Sequence, residues 1–219
     1  MQVSKINYQK KMEEILEAEQ KEGRIPHLLL HSCCAPCSSY VLEYLTAHFR
    51  ITDYFYNPNI APENEYRKRV EELQRLIDSL PLENPVVMDE GKYDPERFYA
   101  MAKGLEEVPE GGERCFRCYE LRLREAAEEA VRVGADYFTT SLSISPLKNA
   151  AKLNEIGLAL EKEYGVRYLV SDFKKKNGYK RSIELSREYD LYRQNYCGCV
   201  FSRKEAEKRD AEKAAAADQ

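Results

Sequence analysis

The chain has 219 residues, 33% of them charged and 43% hydrophobic, and carries a formal net charge of −4. A mean hydropathy of −0.66 excludes an integral membrane protein, and no apolar run approaches the ~20 residues that a spanning helix needs. The acidic balance gives no global nucleic-acid footprint, so any such binding must come from a local patch.

In chain order, Met1 to Lys11 is polar and leads into a charged helix, which is no secretory signal; a cytoplasmic protein is the expectation. Tyr8 to Glu22 predicts an amphipathic helix, ended by Gly23 and Pro26. Leu28 to His31 reads as the first core strand, and Tyr40 to Leu45 gives the next helix its apolar side. Ile51 to Tyr56 reads as a second strand, closed by Asn57-Pro58-Asn59. Tyr66, Val70, Leu73, Ile77 and Leu80, at spacings of 4, 3, 4 and 3, form a helical stripe. Val86 to Met88 is a third strand ending at Asp89, and Asp94-Pro95-Glu96 opens a short helix.

Leu105 to Gly112 reads as a loop, Glu113 to Val133 as a long helix, and Tyr137 to Thr140 as a fourth strand. A polar turn, Ser141 to Pro146, follows. Asn149 to Tyr164 predicts a helix and Arg167 to Val170 a fifth strand. Strands alternating with helices predict an α/β fold with a parallel sheet of about five strands flanked by helices. The organisation expected is an N-terminal helix (residues 1–25), one α/β catalytic domain (26–201) and a C-terminal helical tail (202–219).

Seven cysteines fall in three clusters: Cys33-Cys34-x-x-Cys37, Cys115-x-x-Cys118 and Cys197-Gly198-Cys199. In a reducing compartment such clusters bind metal or do redox work more often than they form structural disulfides, and the odd total argues against a disulfide framework. The first cluster follows a strand and opens a helix. That is where ligands sit in a parallel sheet and where backbone N–H groups and the helix dipole favour thiolates. Cys115 and Cys118 have a metal-chelating spacing at a helix start, with Arg114 and Arg117 alongside to hold thiolate charge. Cys197 and Cys199 could ligate a second metal or cycle between dithiol and disulfide. Four thiolates complete a zinc site or a [4Fe–4S] cluster; seven exceed one such site. His31 and Asp89, both at strand ends, are weaker candidates for the same crevice. No G-x-G-x-x-G or P-loop pattern occurs.

From Ser171 to Arg187, six positive residues oppose two negative ones, a local +4 in an acidic chain. Tyr179 lies within this stretch, and Tyr189, Tyr192 and Arg193 follow. Basic residues interleaved with tyrosines suit RNA, through phosphate contacts and base stacking.

These clusters resemble those of the QueH-type epoxyqueuosine reductases. The likeness is carried by His31-Ser32-Cys33-Cys34-Ala35-Pro36-Cys37, Arg114-Cys115-Phe116-Arg117-Cys118-Tyr119, Ser145-Pro146 with Lys148-Asn149, and Arg193-Gln194-Asn195-Tyr196-Cys197-Gly198-Cys199. The segment Phe173 to Ser186 also resembles that family. The resemblance implies a Rossmann-like fold of the adenine-nucleotide-α-hydrolase type. Cys33-Cys34-Ala35-Pro36-Cys37 stands where ATP-using relatives of that fold carry Ser-Gly-Gly-x-Asp-Ser, which argues against ATP use.

It also implies the last step of queuosine biosynthesis, removal of the epoxide oxygen from epoxyqueuosine in tRNA, with an external electron donor. The expected cofactors are a [4Fe–4S] cluster and an additional mononuclear iron. Cys33, Cys34, Cys115 and Cys118 are the cluster ligands we expect. Cys37, Cys197 and Cys199 would hold the adjacent iron, or Cys197 and Cys199 would form a redox-active pair. Lys174, Lys175, Lys176, Lys180 and Arg181 are the candidates for the tRNA backbone. The rival readings are a cluster-dependent tRNA sulfur transferase on the same fold and a zinc-stapled RNA-binding module.

Overall fold

The computed structural model describes residues 6–217; the ends of the expected N-terminal helix and C-terminal tail, residues 1–5 and 218–219, lie outside them. Five strands form one sheet: β1 (His27–His31), β2 (Arg50–Phe55), β3 (Val86–Glu90), β4 (Tyr137–Thr140) and β5 (Arg167–Tyr168). Their order is β3-β2-β1-β4-β5, and every pairing is parallel. β1 is central and buried along its whole length, as an unbroken Leu28-Leu29-Leu30 run requires of a strand covered on both faces.

The helices are α1 (Tyr8–Lys21), α2 (Ala35–Leu45), α3 (Glu63–Ser79), α4 (Pro95–Ala102), α5 (Glu113–Arg132), α6 (Ala150–Tyr164), α7 (Gly178–Glu188) and α8 (Val200–Ala217). Leu28 and Leu30 point into a core shared with Met12 and Leu16 of α1, Val41 and Leu42 of α2 and Leu73 and Leu76 of α3. Leu29 points the other way, to Leu123 of α5 and Leu153 of α6. Fully burying each such side chain contributes roughly 1.5–3 kcal/mol, so a charged residue at Leu29 would open the second core.

Local chemistry sets the boundaries. The Asn7 and Asn149 side chains accept the Lys10 and Lys152 amides and cap α1 and α6. Gly165, at φ +74°, ends α6 in the left-handed region. β5 stops at Tyr168, where the expected strand ran to Val170, although Leu169 N still donates to Phe138 O at 2.9 Å. The chain leaves β1 for helices on one face and β4 for α6 on the other. That reversal opens a crevice at the carboxyl ends of these adjacent strands, the usual ligand position in open α/β sheets. The Cys33–Cys34 turn and the 3-10 turn Ser141–Ile144 form its rim.

Candidate metal and redox centre

The first thiol group is built by a five-residue turn. Cys34 is extended (φ −174°, ψ 156°) and caps α2, and proline lies in the helix's first turn, where its missing N–H costs nothing. Cys37 therefore comes back over Cys33 and Cys34, and the three sulfurs lie within 4.8 Å of one another. The turn is pinned from both sides. Ser32 N donates to Tyr54 O at 3.0 Å, Asn57 Nδ2 to Ser32 O at 2.8 Å, and Ser38 Oγ to Ser32 Oγ at 2.9 Å. Hydrogen bonding with Cys34 and Cys37 brings Cys33 well below the ordinary thiol range. The same contacts raise Cys34 and Cys37, and Cys34 is pushed up to about 12. Three sulfurs this close can bind a metal ion, which replaces their protons.

The other four thiols come from distant segments. Cys115 and Cys118 lie in the first turns of α5, Cys197 and Cys199 in the loop before α8, and all four line one small, narrow cavity with Glu110, Tyr119, Arg122 and Lys148. Burial pushes Cys118 up to about 12 and raises Cys115 and Cys199. Lys148 Nζ lies 3.1 Å from Cys197 Sγ and 3.2 Å from Glu110 Oε1. Gly198, at φ +126°, is required: a Cβ there would come within 2.9 Å of Ile60 and 3.1 Å of Arg69 Nη1.

Buried guanidinium groups connect the two groups. Arg122 is 1% exposed, donates to Asn57 Oδ1 and forms no ion pair with a carboxylate among the described residues. Burial works against its charge, and the thiols of Cys118, Cys33 and Cys197 outweigh that penalty. Arg69, also buried, donates to Cys197 O at 3.1 Å and pairs with Glu65 at 2.7 Å. Arg122 Nε, the Tyr119 hydroxyl and Asn59 Oδ1 have no hydrogen-bond partner among the described residues, and all three residues line the narrow cavity. A buried cation without a carboxylate needs another anion. A set of thiols backed by cations and unspent polar atoms fits an anionic metal group whose binding displaces the thiol protons.

A second, more open cavity is floored by Cys33, Cys34 and Cys37, and it shares Glu110, Lys148 and Cys197 with the narrow one. Cys33/Cys34 and Cys115/Cys118 thus line adjoining cavities with a common wall. Of the helix-start arginines, Arg117 turns to solvent and pairs with Glu113 at 3.0 Å. Arg114 is buried, donates to the carbonyls of Leu105 and Glu106 at 3.1 and 2.9 Å and so braces the loop before α5.

His31 is fully occupied: Nδ1 meets Thr140 Oγ1 at 2.9 Å and Nε2 meets Tyr56 O at 3.0 Å. Burial, with Arg122 nearby, pushes it down to about 3. Asp89 faces Glu129 and Arg132 of α5 instead of the cysteines. Lys174 pairs with Asp172, Lys176 with Glu13, Lys180 with Glu184 and Arg181 with Glu43. Lys175 is exposed and has no ion pair among the described residues.

Asp53 was not among the expected residues. It is fully buried on β2 opposite Leu30, and its oxygens lack a well-formed hydrogen-bond partner among the described residues. Burial pushes it up to about 7, and the Ser32 hydroxyl beside it pulls the other way. Its signal was in the sequence: the inward phase of β2 reads Ile51, Asp53, Phe55. Arg122 had one too, because it falls on the stripe Cys118, Tyr119, Arg122, Leu123, Ala126 of α5.

Fold and site together define a class: a Rossmann-like α/β protein whose turn after the first strand carries three clustered thiols. The family sequence model "Epoxyqueuosine reductase QueH" matches residues 28–205. The chain is 46% identical over 202 residues to the epoxyqueuosine reductase QueH of Streptococcus pyogenes serotype M1, covering 91% of this chain and 79% of that protein. It is 46% identical over 206 residues to that of Staphylococcus epidermidis (92% and 87%) and 38% over 191 residues to that of Thermotoga maritima (84% and 94%). The chain belongs to the QueH family of epoxyqueuosine reductases, which are oxidoreductases.

Proposed function

We propose that this chain removes the epoxide oxygen of epoxyqueuosine in tRNA to give queuosine, the last step of queuosine biosynthesis. The observation that carries the reading is the family match over residues 28–205, a span that contains all seven cysteines. The net change is epoxide plus two electrons and two protons to alkene plus water, so an external electron donor is a necessary partner. When bound, a [4Fe–4S] cluster with an adjacent iron supplies single electrons and Lewis acidity that side chains lack.

Cys33, Cys34, Cys115 and Cys118 are the proposed cluster ligands; the Arg122 guanidinium, which acts on thiols of both groups, supports their sharing one anionic centre. Cys37, Cys197 and Cys199 are then free for the adjacent iron, or Cys197 and Cys199 for a dithiol–disulfide couple about Gly198. Arg122, Arg69 and Lys148 hold negative charge at sulfur. Lys174, Lys175, Lys176, Lys180 and Arg181 are proposed to meet the tRNA backbone. The work takes place in the cytoplasm; among the described residues no helix is long and apolar enough to cross a membrane.

The test is anaerobic purification with iron counted per chain, followed by reduction of tRNA bearing epoxyqueuosine. The expected result is a coloured iron protein and a product nucleoside lighter by one oxygen. A colourless zinc protein that leaves the nucleoside unchanged would overturn the proposal.

A further inference from the structure

The open cavity floored by Cys33, Cys34 and Cys37 has two features that the cysteine chemistry does not use. Leu147 and Tyr179 are among the few large apolar side chains left exposed, at 65% and 36%, and both line this one cavity. Single exposed apolar residues need no explanation, but two at one cavity mark an interaction site. Tyr179 is also held in place at a cost. The three non-glycine residues with positive φ among the described residues are Lys176 (+48°), Asn177 (+66°) and Asp190 (+47°). They bracket α7, the helix that carries Tyr179 in its first turn. Gly178 is packed so tightly that a Cβ there would lie 1.9 Å from Phe173 O and 2.4 Å from the Tyr40 ring. Strain of this kind persists where the surroundings enforce a functional geometry. Gln194, partly buried in the same cavity, makes no hydrogen bond to the described residues, so its amide keeps both a donor and an acceptor free.

We propose that Tyr179 and Leu147 form the two sides of a slot for the substrate's nucleobase, above the thiols, and that the Gln194 amide reads the base edge. This rests on the reading that the substrate is a nucleoside in tRNA. Aromatic stacking tolerates any base and adds affinity, whereas an amide at the edge adds selectivity.

The experiment is equilibrium binding of fluorescently labelled tRNA to the anaerobically prepared, iron-loaded full chain without reductant, with melting temperatures as a fold control. Two RNAs are compared, one bearing epoxyqueuosine and the same transcript lacking it. Tyr179→Ala should weaken binding of the modified tRNA roughly 10- to 100-fold, and Tyr179→Phe should stay within about threefold because the ring remains. Leu147→Ser should weaken it by a smaller factor, and Gln194→Leu should erase the preference for the modified RNA. Wild-type affinity in Tyr179→Ala, or equal losses in the Ala and Phe variants, would overturn the slot while leaving the reductase reading intact. A wild-type chain that does not bind the modified tRNA would overturn both.

Discussion

The two thiol groups solve one electrostatic problem in opposite ways. Cys33, Cys34 and Cys37 come from one turn, and the contacts among their sulfurs lower Cys33 and raise Cys34 and Cys37. Cys115, Cys118, Cys197 and Cys199 come from two segments some 80 residues apart in the sequence. They depend on imported cations, Lys148 on Cys197 and Arg122 beside Cys118. The first group is preorganised by local geometry, and the second exists only when α5, the loop before α8 and the loop after β4 are packed together. A centre spanning both joins a rigid half to a half that reports on tertiary structure.

The largest effects should come from removing a thiol. If Cys34 and Cys118 bind one cluster, Cys34→Ala and Cys118→Ala should behave alike, each losing cluster iron and more than roughly 100-fold in activity. Iron per chain and turnover of modified tRNA are the measurements. Full iron and activity in Cys118→Ala with loss only in Cys34→Ala would separate the two groups and end the shared-centre assignment.

Next in size is the buried carboxyl beside the first group. Asp53 is raised from 3.8 to about 7. Between those values the unfolded chain has released the proton and the native chain has not, so stability falls as pH rises. The full penalty, on the order of 4 kcal/mol, is present above pH 7. His31 runs the other way. Depressed from 6.5 to about 3, it contributes stability above its unfolded value that is lost as pH falls through that window. The two slopes oppose each other over much of one pH range. Asp53→Asn should expose the His31 slope, so that metal-free protein gains stability with pH from about 4 to 6.5 more steeply than wild type. Denaturant midpoints across that range are the check, and an unchanged profile would show that Asp53 is ionised in the folded chain.

Much of this architecture was legible in sequence because it follows from periodicity. β4 was expected at Tyr137 to Thr140 and spans those residues, and α3 follows its 4-3-4-3 stripe. α7 was not anticipated. Its buried face is Gly178, Ser182, Leu185 and Ser186, mostly small and polar, so few large apolar residues mark it while the lysines are conspicuous. Lys176 and Arg181 looked free because their partners, Glu13 of α1 and Glu43 of α2, are far away in sequence. Within the centre, spacing identified the cysteines but not the neutralising cations. Arg122 is a charge on an apolar stripe, a local inconsistency of the kind that marks function.

Arg122 also allows a smaller test of the comparison. Arg122→Met removes a buried cation that has no carboxylate to orphan, but Asn57 Oδ1 loses its donor, so the metal-free chain should lose about 1–3 kcal/mol, while iron retention falls. Arg69→Met should destabilise the metal-free chain more, because Glu65, only 12% exposed, loses its charged partner. Chemical denaturation with and without iron distinguishes these outcomes, and equal destabilisation of the metal-free chain by both would mean that Arg122 is structural and not tied to the metal.

The smallest effect is expected in the lysine segment that precedes α7. Neutralising Lys174, Lys175 and Lys176 together should weaken tRNA binding and flatten its dependence on salt. Each phosphate contact contributes about 0.9 to the log–log slope. Lys174 and Lys176 are already paired with Asp172 and Glu13, so each must exchange a carboxylate for a phosphate and gains little. Lys175 alone meets RNA without that exchange, and the slope should therefore fall by about one unit, not three. A fall near three would mean that the carboxylates release their lysines on binding, and no change would remove this segment from the RNA interface.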